Sequence, residues 1–262
     1  MSWTAWRFAA AGLVLAACGS GERASGGNGN ETVAGGEPDQ SAGWSSVMLG
    51  LDDEADVAVD VIKDIDPPVV VAAFQSFTAW TVEDGRAERA EVPNVPWQFF
   101  ELGGAVRGPG PEGAVVVVGT AHPEDETWRT AAMVSTNGER WELVTDDDLD
   151  MPGVLRDVAA TADGFIAVGA RIDGTMPAPD ALVPAAWWSA NGRQWEQLDL
   201  GGASGAPDHA SDGLVAVAAD GERVVAVGET GVLLSLDEGE TWEAVDLFEA
   251  DGVDGWWETP RG

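Results

Sequence analysis

The sequence predicts an all-β chain, a β-propeller of about four recognisable four-stranded blades, on three observations. A turn motif occurs three times, a valine-rich run occurs upstream of each copy, and the copies are spaced as blades are. From Ser135 to Ser189 is 54 residues, and from Ser189 to Ser235 is 46.

The turns are Ser135-Thr136-Asn137-Gly138-Glu139-Arg140-Trp141, Ser189-Ala190-Asn191-Gly192-Arg193-Gln194-Trp195 and Ser235-Leu236-Asp237-Glu238-Gly239-Glu240-Thr241-Trp242. Each lies between an apolar run (AAMV, PAAWW, GVLL) and an alternating one (WELV, WEQL, WEAV), which places it at the tip of a hairpin. An Asn or Asp two residues after serine can accept from its own turn's backbone. Glycine permits positive φ, and tryptophan can fold back over the hairpin. These parts serve the turn, so their predicted role is structural.

Upstream come Val115 to Gly119, Phe165 to Gly169 and Val224 to Gly228, with Val69 to Ala73 as a looser fourth copy. Unbroken apolar runs of this length predict strands covered on both faces. Weaker strands precede two of them, at Leu155 to Thr161 and Leu214 to Ala219. The unit is therefore strand, buried strand, loop, strand, turn, strand. One spacing before Ser135, Ala79 to Gly85 reads as a decayed turn of the same kind, so four blades fall between about residues 50 and 250. Three closures stay open: a ring of four, a ring to which 44–51 and 252–257 add strands, or a piece of a larger ring.

The third turn matches the pattern S-x-D-x-G-x-T-W at each fixed position. On these residues the chain resembles the Asp-box, or BNR-repeat, proteins of the sialidase-like superfamily. The resemblance implies Asp-box hairpin turns lying away from the functional face. It also implies what an enzyme of that group needs: a tyrosine nucleophile paired with a glutamate, an aspartate acid/base and three arginines. The chain has no tyrosine. That removes the sialidase nucleophile by composition alone.

Charge narrows the partners further. Forty-six acidic residues face 13 basic ones, for a formal net charge of -33. Such a surface repels phosphate backbones, which excludes nucleic acid as a partner. Residues 1–17 carry one positive charge, Arg7, and then an apolar stretch too short to span a bilayer, the form of a signal peptide. Leu15-Ala16-Ala17-Cys18 resembles the lipobox of bacterial lipoproteins. That resemblance implies acyl chains on Cys18, a lipid bilayer as partner, and an exported protein held on the outer side of the membrane. Residues 18–43 then form the lipidated cysteine and a Gly/Ser-rich linker, and 44–262 the propeller domain. The single cysteine permits no internal disulfide.

No catalytic residues are assigned. A carboxylate-pair glycosidase remains the alternative, since its chemistry needs only two acids at a suitable separation. The two histidines, His122 and His209, lack a second ligand at metal spacing, so no metal site or cofactor is predicted. Asp146, Asp147, Asp148 and Asp150 could gather oxygens for calcium but lack the alternation and glycine of a calcium loop. The leading expectation is a binding or assembly module for a protein or glycan ligand. Its predicted surface is the face opposite the turns, with His122, Trp128, Arg129, Arg171, Asp208 and His209 as candidate contacts.

Overall fold

The computed structural model describes residues 58–245 apart from 74–75, 96–98, 110–112, 124–127, 145, 148, 150, 173–181, 202–212 and 229–230. Cys18, the linker, and segments 44–51 and 252–257 lie outside the described residues, as do Asp208, His209, Asp148 and Asp150.

Among the described residues, four antiparallel sheets of four strands follow one another, each a propeller blade with its strands in sequence order. Blade 1 is β1 (Ala58–Ile62), β2 (Val69–Ala73), β3 (Phe77–Glu83) and β4 (Arg86–Arg89). Blade 2 is β5 (Phe99–Arg107), β6 (Val115–His122), β7 (Arg129–Ser135) and β8 (Glu142–Leu143). Blade 3 is β9 (Gly153–Ala160), β10 (Phe165–Ile172), β11 (Leu182–Ser189) and β12 (Glu196–Gln197). Blade 4 is β13 (Leu214–Asp220), β14 (Arg223–Gly228), β15 (Gly231–Ser235) and β16 (Glu243–Val245).

The valine runs are the second strands, and their continuity has a packing cause. Along β6, Val115 and Val117 enter a core with Phe77, Phe100 and Trp141. Val116 and Val118 enter another with Phe165, Trp187 and Trp195. Both faces of the blade are covered, so neither parity of the strand can be polar. Each fully buried valine contributes about 1.5–3 kcal/mol of transfer free energy.

The first strands pack on one another in sequence, β1 to β5, β5 to β9 and β9 to β13. Among the described residues no comparable packing joins β13 to β1. Two carboxylates join neighbouring first strands. Asp60 accepts from Val61 N at 2.7 Å and from Ala105 N of β5 at 3.1 Å. Asp157 repeats this two blades on, accepting from Val158 N at 2.8 Å and Val217 N of β13 at 2.9 Å. Burial raises the Asp157 carboxyl above its ordinary value, the Asp60 charge adds to that, and the two backbone N–H groups oppose it.

The repeated turns close as their residues dictate. Ser135 Oγ accepts from Gly138 N at 2.9 Å, and Asn137 Oδ1 accepts from Glu139 N at 3.1 Å. Ser189 and Asn191 do the same for Gly192 N and Arg193 N, both at 2.8 Å. Ser235 Oγ accepts from Gly239 N at 2.8 Å, while Asp237 Oδ1 accepts from Thr241 N at 2.8 Å. The blade 1 turn differs from the expectation of a decayed copy. Glu83 pairs directly with Arg86, and Asp84 (φ 48) with Gly85 (φ 73) forms a two-residue hairpin whose twist already suits the strands. It therefore needs no serine or tryptophan brace.

Candidate functional site

The repeated turns sit where each third strand meets the fourth, so the loops between second and third strands emerge at the opposite end of the blade. At that end of blades 2 and 3 the structure assembles a row of four side chains. His122 ends β6 and is buried, while Trp128, just before β7, is 42% exposed. Their ring centroids are 5.0 Å apart. Glu101 stands on β5 and Arg156 on β9, the first strands of the two blades.

Register explains the convergence. Glu101 pairs with Thr120 on β6, and the even positions of β6 face blade 3, so Glu101 and His122 share that face. The start of β9 is tied to the same end by Gly153 N donating to Trp128 O at 2.9 Å. Arg156 Nη1 then donates to Glu101 Oε1 at 3.3 Å, and His122 Nε2 lies 3.8 Å from Glu101 Oε2. The second separation is that of an electrostatic contact, longer than a hydrogen bond. The Glu101 carboxyl is held below its ordinary value, first by His122 and then by Arg156, against the opposing effect of burial.

An acid whose folded value is depressed contributes stability above its ordinary value of 4.5 and loses it as pH falls through the folded one. Glu101→Gln should therefore lower stability at pH 7 by up to about 1 kcal/mol, because the carboxylate is half exposed and screened. Near pH 2 the difference should vanish. Urea denaturation of both proteins at the two pH values measures it.

Of the predicted contacts, His122 and Trp128 come together. Arg129 begins β7 and bridges to Pro152, and Arg171 on β10 pairs with Gly153, so both border the start of β9. Glu101 and Arg156 escaped the sequence reading. Their signal was a charge set within an otherwise apolar stretch, in FFELGGAV and VLRDVAA. Such a charge points along the shared edge of two blades rather than into either core. Thr120 Oγ1, fully buried on the same face, has no hydrogen-bond partner among the described residues.

Two cavities open elsewhere, on the turn side. One of about 710 Å³ lies against the β1–β2 loop, between Lys63, Asp66, Arg107 and Asn137. The other, of about 430 Å³, lies between blades 3 and 4. Among the described residues no cluster of three or more potential ligands could hold a metal ion.

No protein-family model matches the sequence, and no curated protein matches it. Among solved structures the chain is similar to an alpha-L-arabinanase of Penicillium chrysogenum complexed with arabinobiose. The TM-score is 0.47 and the identity 10%, over 80% of this chain and 71% of that one.

Proposed function

We propose that this protein is an exported, lipid-anchored propeller of Asp-box kinship that works by binding, through the face opposite its repeated turns. The observation that carries the reading is the exposed Trp128 ring, tilted at 57° against His122 and next to the Glu101–Arg156 pair. An indole offers a rigid apolar face at small entropic cost, and the adjacent carboxylate and guanidinium supply directional polar contacts. A sugar ring or an aromatic peptide side chain suits that combination. The lipobox-like Leu15 to Cys18 and the Gly/Ser linker support display outside the membrane.

The test is a glycan and peptide array probed with the full chain in detergent, followed by titration of the hits with Trp128→Ala and Glu101→Gln. Each substitution should weaken the hits about tenfold or more. Equal affinity for wild type and both variants would remove this face from the function. Palmitate labelling that persists in Cys18→Ala would remove the anchor.

Carbohydrate cleavage is the alternative, and it would need a carboxyl able to deliver a proton to a ligand. Asp157 has the raised value for that role. Both of its oxygens, however, already accept from backbone N–H groups. It is built as a clasp between first strands, which favours binding without turnover. Hydrolysis of an array hit, lost in Asp157→Asn together with Glu101→Gln, would reverse that preference.

A further inference from the structure

On the turn side, charge spans the seams between neighbouring blades. At the first seam Arg140 Nε, from the blade 2 turn, donates to Glu91 Oε2 at 3.1 Å, just beyond β4. At the second, Arg193 from the blade 3 turn reaches Glu142 Oε2 of β8 through Nε at 3.4 Å and Nη2 at 3.3 Å. Arg193 stands two residues before its turn tryptophan, Trp195, and Glu142 one residue after Trp141.

The corresponding residues at the third seam are Glu240, two before Trp242, and Glu196, one after Trp195. Both are carboxylates. The seam that holds a guanidinium in the preceding interface has acid on both sides here, and the cavity of about 430 Å³ opens between them. Its lining adds four more acids, Asp163, Glu222, Asp237 and Glu238, and the apolar side chains of Trp188, Leu198 and Leu236. Leu236 is 61% exposed, more than any other large apolar side chain described.

We propose that this cleft docks an arginine side chain supplied by a partner polypeptide, its guanidinium between Glu196 and Glu240 and its stem along Leu236 and Trp188. The sister seam supplies the precedent: the same two positions on neighbouring blades hold Arg193 against Glu142. Arginine fits better than lysine, since its planar fork can serve two carboxylates while its methylenes and flat face lie on apolar and aromatic surface. A second copy of this chain is a poor occupant, because a protein of net charge -33 with 13 basic residues repels itself. The site lies on the face away from Trp128 and stands independently of the function proposed above.

The test uses the full chain in detergent and a pentapeptide labelled at its N-terminus, fluoresceinyl-Gly-Leu-Arg-Leu-Gly-amide, followed by anisotropy at low salt. The citrulline version, isosteric and neutral, should bind at least about tenfold more weakly. Glu240→Arg should abolish binding, because it restores an intramolecular pair with Glu196. It should also leave the melting temperature unchanged or raised. Glu196→Gln should weaken binding severalfold. Glu88→Arg, the same charge change on β4, should leave binding intact. Three results would each overturn the proposal: no binding of the arginine peptide, equal binding of the citrulline peptide, or equal losses for Glu240→Arg and Glu88→Arg. The last would mean that the general acidic field, rather than this cleft, attracts the peptide.

Discussion

Truncation of Trp195 to alanine is expected to lower folding stability by about 3–5 kcal/mol, the range for removing a large buried aromatic. The ring is 3% exposed and sits in the core shared by blades 2 and 3 with Val116, Val134 and Phe165. Its Nε1 donates to Gly192 O at 3.0 Å, so truncation also strips a partner from a turn carbonyl. Phenylalanine separates the two contributions. Trp195→Phe should recover most of the packing and lose the hydrogen bond, at about 1–2 kcal/mol. The same substitution at Trp242 should cost less, because Trp242 Nε1 has no hydrogen-bond partner among the described residues. Denaturant midpoints of the three variants decide this, and equal costs for Trp195→Phe and Trp242→Phe would count against the hydrogen-bond contribution.

Gly192→Ala is the second large effect, at about 2–5 kcal/mol. Its φ of +74 costs an L-residue about 1–2 kcal/mol. A Cβ there would also run into Val116 Cγ2, a fully buried side chain of the preceding blade, with Val134 Cγ2 3.4 Å away. Overpacking of that kind adds about 1–3 kcal/mol. Gly221 is the control: its φ of +63 is similar, and a Cβ there meets nothing within 4 Å. Gly221→Ala should therefore show the backbone cost alone. If the two alanines destabilise equally, the glycine wedge between blades is not a source of stability.

That wedge shows what could and could not be read in the sequence. The turns, the second strands and their order were legible because each depends on local residue types: serine, glycine and tryptophan in the turn, valine in the strand. Strand β5 was not legible. Its Gly103 and Gly104 weaken any strand signal, and the reason for them lies 52 and 53 residues away, where Leu155 O and Asp157 Oδ1 would come within 2.7 and 2.6 Å of added Cβ atoms. The candidate site divides in the same way. His122 and Trp128 sit at the ends of a long loop and could be singled out by type and position. Glu101 and Arg156 meet only because β5 and β9 lie side by side, and nothing within either segment records the other. The acidic seam between blades 3 and 4 was equally hidden, since its meaning depends on comparing Glu196 and Glu240 with the pair that Glu142 and Arg193 make.

The sequential packing of first strands has a consequence for how the molecule comes apart. Among the described residues each blade leans on its neighbours in the row, so cooperativity passes from blade to blade, and a blade with an uncovered face opens at lower cost than one covered on both. Blades 2 and 3 are covered on both faces. In β14 burial instead alternates, with Val224 and Ala226 inside and Val225 38% exposed. Amide protons of β14 should therefore exchange through partial opening while those of β6 and β10 wait for the whole array to unzip. Whatever binds the seam beside blade 4 would then act as a cap, and its presence would be felt as slower exchange in strands that it never touches.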